Sequence, residues 1–405
     1  MTPPTHPSPR MFVAMMAMLF ATTALSIDAM LPALPAIAAE LTPNAVNRAQ
    51  LVVGMFFAGM GVGTLIAGPV SDAIGRKATL LICAATFLAG AALCTVAPSL
   101  TLLLAARFLQ GLGAAGPRTV GMAMVRDLYK GRDMARIVSL VMTIFALVPA
   151  VAPLLGQGIL LIGTWRHIFV ALMVFAILTN LWVALRQPET LAVVQRRRLQ
   201  VVLLLQAGKE LFSHRIVLIS ILCQSLSTAC LVATLSSQQG IFEQRFDRAA
   251  SFPAWFAVIA LCSILGSVAN AMLVNRLGMR VMVQWTYGAL MILTALILLL
   301  NVTGILPEVL VFPAHMLWSI GIFAMMGLTM GNLNALAMEE LGHIAGFAAS
   351  VITAISTVLS VLLSLPVGQA FQGTQIPLMT GVLVFSATAL LLMRFAGKAR
   401  AHGPI

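Results

Sequence analysis

The chain is built from long apolar runs separated by short polar or proline-rich breaks, and this pattern constrains the fold more than any other feature. The runs are mostly about 20 to 26 residues long, and at 1.5 Å per helical residue each can cross a hydrocarbon layer of ~30 Å. They are continuous and do not alternate, which excludes a transmembrane barrel. The breaks place spans at residues 11–37, 49–71, 78–97, 100–124, 137–161, 166–186, 215–238, 250–273, 281–302, 308–334, 346–370 and 376–396. The expected class is an all-α membrane protein of about twelve spans. Composition agrees: 60% of the 405 residues are hydrophobic and 9% are charged, against roughly 25% charged in a soluble domain.

A formal net charge of +12 would point to nucleic acid in a soluble protein. Here the basic residues sit at the ends of apolar runs, where anionic lipid and membrane orientation account for them. No basic patch is interleaved with aromatics, so nucleic acid is not an expected partner and the lipid bilayer is. Cys83, Cys94, Cys223, Cys230 and Cys262 all lie inside apolar runs without CxxC spacing and read as reduced core residues, with neither a disulfide framework nor a metal site. The first apolar run is too long for a cleaved signal peptide and is expected to remain as a span.

The longest polar break falls near mid-chain and contains Arg186, Arg196, Arg197, Arg198, Lys209 and Arg215. It divides the chain into a tail at 1–10, a six-helix bundle at 11–186, a linker at 187–214, a second six-helix bundle at 215–396 and a tail at 397–405. With both termini in the cytoplasm, only Arg48, Arg166, Arg245 and Arg248 fall outside, an asymmetry that fixes the orientation. The halves also repeat weakly. In GTLIAGPVSDAIGRKATL and GSVANAMLVNRLGMRVMV, Gly63 aligns with Gly266, Asp72 with Asn275, Gly75 with Gly278 and Lys77 with Arg280, as in a duplicated transporter with parallel halves.

Asp28 is the one acidic residue expected well inside a span, and an ionisable group there is a functional candidate by default. Counting from the span ends, Asp28 lies roughly 14 Å deep and Arg107 roughly 11 Å deep, so a carboxylate–guanidinium pair across one cavity is feasible. Such a pair could exchange a proton when a substrate disturbs it; a purely structural pair, or solvation of Asp28 at the outer interface, are the alternatives. Arg118 lies further toward the cytoplasm on the same helix and either faces an inward-open cavity, meeting an anionic or strongly polar substrate, or snorkels to the interface. Gln110, Gln224, Gln238 and Asn332 are further candidates for a polar cavity lining, the alternative being hydrogen bonds that join helices. Pro149, Pro153 and Gly156 are expected to bend and thin the fifth span for close packing.

The stretch GPVSDAIGRK, Gly68 to Lys77, lies across the short loop between the second and third spans. Gly68 allows close helix approach and Gly75 a tight turn; Asp72 can face a helix N-terminus of the other half, while Arg76 reaches Asp127. These contacts are expected to hold the cytoplasmic side closed; the alternative is a tight turn carrying positive-inside residues.

GPVSDAIGRK resembles the signature of the major facilitator superfamily. IDAMLPALPAIAAEL, RFLQGLGAAGP, VRDLYKGR and VPAVAPLLGQG followed by TWRHIF resemble, in order and spacing, its bicyclomycin-resistance (Bcr/CflA) branch of drug:proton antiporters. The resemblance is strong over residues 20–190 and thinner beyond. It departs from the antiporter pattern GPxxGG at Ala152, Pro153, Gly156 and Gln157, which bears on export direction more than on fold. The resemblance implies proton-coupled export of drug-like compounds or metabolites across the inner membrane by a monomer without a cofactor. An importer or uncoupled facilitator on the same fold is the alternative. Scattered histidines such as His6, His167, His214, His315 and His343, with no metal spacing and no P-loop, speak against a membrane-embedded enzyme or direct use of ATP.

Overall fold

The computed structural model describes residues 7–196, 208–339, 341 and 345–396. His6, Arg197, Arg198, Glu340, His343 and the tail from residue 397 lie outside the described residues. The described chain is all-helical: α1 (Pro9–Asp28), α2 (Leu34–Leu41), α3 (Leu51–Ile74), α4 (Arg76–Thr95), α5 (Leu100–Leu128), α6 (Gly131–Ile162), α7 (Trp165–Arg186), α8 (Arg215–Gln244), α9 (Phe252–Leu277), α10 (Met279–Val302), α11 (Glu308–Met338), α12 (Ala345–Gln369) and α13 (Ile376–Phe395). All but α5 form segments apolar enough to span a membrane by composition, α1 and α2 together making one. At 29 residues α5 is long enough too, but it carries Arg107, Arg118, Arg126 and Asp127. Its charges depress its hydropathy, and its small-residue face packs against α3 and α4.

The first span differs from the continuous run expected at 11–37. α1 stops at Asp28, a 3-10 turn covers Leu31–Ala33, and α2 resumes at Leu34. Pro32 and Pro35 lack the N–H groups that would carry the α-helical ladder through this stretch. The break leaves Asp28 as the last residue of a helix. By contrast α6 runs unbroken through Pro149 and Pro153.

α3 packs on α5, α4 on α5 and α7, and α1 on α6; in the second half α8 packs on α11, α12 and α13, α9 on α11, and α10 on α11 and α13. The two sets meet along α3 with α12 and α6 with α9. The aligned glycines of the internal repeat do the same work in each half. Gly75 (φ 110°) and Gly278 (φ 83°) both make the turn into the next helix in a conformation that side-chain-bearing residues avoid. A Cβ at Gly63 would lie 2.3 Å from the Leu112 carbonyl oxygen on α5, and one at Gly266 would lie 2.6 Å from the Ala324 carbonyl oxygen on α11.

The core clusters give the conformational state. At the face opposite the termini, one cluster unites the two halves, including Leu31, Leu34, Phe57 and Trp165 with Leu235, Phe242, Phe256 and Met316. Hydrogen bonds cross the same seam: Asn47 Nδ2 donates to the carbonyls of Gln369 (3.0 Å) and Phe371 (2.7 Å), Gln369 Nε2 donates to the Asn47 carbonyl, and Ser237 Oγ donates to Gln50 Oε1. Toward the termini the cores are separate, one around Phe12, Phe20 and Met124, the other around Val217, Tyr287 and Leu336. The molecule is thus sealed at the far face, and its cores part at the face bearing the termini.

Gly156 shows how tightly α6 is held. A Cβ there would lie 1.8 Å from the Ala29 carbonyl oxygen, at the break in the first span. Gly156→Val is therefore expected to destabilise the protein by about 3 kcal/mol or more. Gly158→Val, two residues on, meets nothing within 4 Å and is expected to be neutral. Thermal unfolding of the two purified variants checks this.

Candidate functional site

Arg107 is fully buried in the middle of the first half. Its Nε donates to the Val52 carbonyl (3.2 Å), one terminal nitrogen to Gln110 Oε1 (2.6 Å) and the other to the Ser26 carbonyl (3.1 Å). The guanidinium carbon lies 4.3 Å from the centroid of Phe56 and 5.7 Å from that of Phe169. α1, α3 and α5 are thereby tied together by one side chain, whose charge is balanced by carbonyl dipoles and ring faces.

The feasible Asp28–Arg107 ion pair is not formed. The guanidinium is spent on backbone carbonyls two residues before Asp28 and across on α3, so it grips α1 without meeting the carboxylate. Asp28 is 6% exposed, and among the described residues nothing donates a hydrogen bond or ion pair to its carboxylate. It also ends α1, where the carbonyls of the last turn present the negative end of the helix dipole.

The cavity candidates separate. Gln110 is fully buried and occupied by Arg107, and Gln238 is fully buried near the far-face seal, so neither lines open space in this state. Asn332 donates to Asn270 Oδ1 (2.7 Å), joining α11 to α9, and Gln224 Nε2 donates to Asn334 Oδ1 at 3.4 Å, joining α8 to α11. For Gln224, Gln238 and Asn332 the helix-joining alternative describes the geometry, while Gln110 bonds within its own helix. Arg118 differs: it is exposed, and among the described residues it makes no hydrogen bond or ion pair. A cavity of about 620 Å³ lies elsewhere, at the termini-bearing face among Arg10, Val13, Tyr129, Asp133 and Arg136, and holds none of the candidates.

The loop motif forms a network inside the first half. Arg76 pairs with Asp72, one turn back, and with Asp127 at the end of α5 (3.0 Å), while Thr190 Oγ1 donates to the same Asp127 oxygen (2.9 Å). Gly68 brings α3 against α12: a Cβ there would lie 3.3 Å from Ser350 Oγ. The contact expected between Asp72 and a helix N-terminus of the second half is absent among the described residues. The Arg76 contacts lie within one bundle, so they do not depend on contact with the second half.

Sequence reasoning missed Glu189. From the segment after α7 it accepts the backbone N–H of Arg76 (2.9 Å) and of Lys77 (3.1 Å), capping α4. An acid in a basic linker, directly after Pro188, was the available signal. Also missed were Glu40, which holds Trp165 Nε1 (2.7 Å) and Arg166 (2.7 Å), and the buried group of Gln238, His315 and Ser319. Among the described residues no group of three or more His, Cys, Asp or Glu is placed to hold a metal ion.

The Major Facilitator Superfamily profile matches residues 12–364. The uncharacterised MFS-type transporter YdgK of Bacillus subtilis is 31% identical over 379 residues, 92% of this chain and 91% of that protein. The multidrug resistance protein MdtL of Escherichia coli is 39% identical over 153 residues, 37% of this chain and 38% of that one. Among solved structures, a D-xylose–proton symporter superposes with a TM-score of 0.76 at 14% identity, covering 95% of this chain and 96% of its own. The human organic anion transporter MFSD10 superposes at 0.69 with 17% identity, covering 97% and 100%. At these identities the structural likenesses establish the fold.

Proposed function

The chain belongs to the Major Facilitator Superfamily, and from that premise we propose that it is a proton-coupled exporter of small organic molecules, of the bicyclomycin-resistance type, working by alternating access. It is a transporter and not an enzyme. The observation that carries the coupling is Asp28, a buried carboxylate with no donor and no counter-charge among the described residues, at the negative end of α1. An ion so placed is costly in a membrane, and a proton removes the cost. Asp28 carries the proton; Arg107 fixes the α1 backbone beside it and acts as a positioning residue.

The likeness of part of the chain to a multidrug resistance protein supports drug-like compounds or metabolites as cargo. Exposed, unpaired Arg118 favours members of that class with an anionic or strongly polar group. The basic bias places both termini in the cytoplasm, with the protein multi-pass in the inner membrane, monomeric and driven by the proton gradient without a cofactor. In this orientation the far-face seal lies on the outer side of the membrane, and Arg76, Asp127 and Glu189 hold the cytoplasmic end of the first bundle together through the cycle.

The test is uptake of antibiotics and fluorescent cations and anions into everted membrane vesicles energised by respiration. Export with one net charge moved per cycle predicts accumulation of up to about 50-fold at 100 mV, abolished by a protonophore. Accumulation that ignores the protonophore, or movement only in the opposite direction, would replace export by the facilitator or importer reading.

A further inference from the structure

The second half holds a polar group that the proposed cycle does not use. His315 on α11 and Gln238 on α8 are both 0% exposed, as is Ser319 one turn along from His315. Gln238 Nε2 lies 3.2 Å from His315 Nε2 and 3.2 Å from Ser319 Oγ. In that arrangement the amide donates, His315 Nε2 accepts, and the imidazole proton sits on Nδ1. Among the described residues Nδ1 has no partner, and neither does Gln238 Oε1. Two orphaned polar atoms in one dry cluster are costly and indicate that the cluster is satisfied in another state.

Its position says which state. Gln238 adjoins Ser237, whose hydroxyl crosses the far-face seam to Gln50, and Gln239 beside it also buries an unpaired Oε1. The imidazole is boxed by aromatic rings: Phe246 at 5.3 Å, Trp318 at 5.6 Å and Phe242 at 6.1 Å between centroids, Phe242 belonging to the cluster that closes the seam. Two arginines lie over aromatic rings at this end of the second half. Arg245, paired with Glu308 at the start of α11, lies over Phe246, and Arg248 lies over Phe312. α8 and α10 present Gln238 and Thr294 to this cluster, and no carboxylate among the described residues faces the ring.

We propose that His315, with Gln238 and Ser319, is a proton-binding site of the second half that is reached from the face opposite the termini and whose occupation favours breaking of the seal at that face. A proton added at Nε2 would meet the amide N–H of Gln238 head-on. The amide must then turn its orphaned Oε1 toward the ring, and the imidazolium is left with ring faces alone to balance its charge. Water entering through an opened seal supplies the missing partners for Nδ1–H and for the charge, so the proton and the opening favour one another. This site is independent of Asp28 and of the direction of export.

Spin labels at Asn44→Cys and Gln372→Cys, one on each side of the far-face seam, in a background without the five native cysteines, report the opening by electron–electron distance. No substrate or transport is needed, so failure of the export reading would not affect the result. Between pH 8 and pH 5 the expected result is a shift from the short-distance to a long-distance population, which His315→Gln removes. An unshifted native protein, or an equal shift in His315→Gln, overturns the proposal; Asp28, the proposed proton carrier, or another acidic group would then be the source of any shift. Should His315→Gln fail to fold, Gln238→Glu, which sets a carboxylate against the ring, is expected to raise the midpoint by about one pH unit or more. A midpoint unchanged in that variant also overturns it.

Discussion

Asp28→Asn is expected to abolish accumulation of substrate against its gradient, a loss of the full ~50-fold set by 100 mV, while exchange of substrate at equal pH on both sides survives. Asparagine reproduces the size and neutrality of the protonated acid and cannot release a proton. Among the described residues nothing donates to the Asp28 carboxylate, so the substitution breaks no hydrogen bond with them and orphans no partner there. Loss of coupling with retained exchange is the signature of a carrier; loss of both together with folding would be that of a structural residue. The comparison is made in proteoliposomes with and without an imposed pH gradient, and Asp28→Glu, which keeps the ionisable group, is expected to restore part of the coupling.

Arg107→Ala is expected to act in the opposite manner, on folding. Three acceptors, the carbonyls of Ser26 and Val52 and the side chain of Gln110, lose their donor inside a fully buried site. Gln110 also carries an unpaired Nε2, a single donor that cannot replace the three the guanidinium supplied. At about 1 to 3 kcal/mol for each orphaned group, plus the cavity left between Phe56 and Phe169, the loss is on the order of 5 kcal/mol. That is a large share of the stability of an ordinary domain. Arg107→Lys keeps the charge but has no fork with which to reach α1, α3 and Gln110 together, and is expected to recover less than half. Thermal unfolding in detergent, with the yield of monodisperse protein, reads both. A native-like Arg107→Ala with only its coupling lost would return Arg107 to the proton pathway.

The spans were legible because apolar length is a one-dimensional property, and the repeat was legible because Gly63 and Gly266, like Gly75 and Gly278, answer to backbone constraints that local sequence records. Asp28 and Arg107 stood out for the same reason, as charges in apolar runs. Their relation did not. Matched depth could not say that Arg107 would turn to the carbonyls of Ser26 and Val52, because backbone acceptors leave no mark in a sequence. The break after Asp28 was written in Pro32 and Pro35, yet a hydropathy reading runs straight through two prolines flanked by leucine and alanine. Glu189 was invisible because its role comes from a fold-back of the linker onto α4, more than a hundred residues away in the chain. His315 and Gln238 looked like a scattered histidine and one glutamine of many until the packing of α8 on α11 set them side by side.

Proton release on substrate binding is the most direct measurement of coupling at Asp28. Purified protein in lightly buffered detergent, with a pH indicator, is mixed with a saturating substrate identified by counterflow, and the native chain is compared with Asp28→Asn. Protons released by the native protein and none by Asp28→Asn, both binding the substrate, are the expected result. Equal release from the two proteins, or none from either, would contradict Asp28 as the carrier.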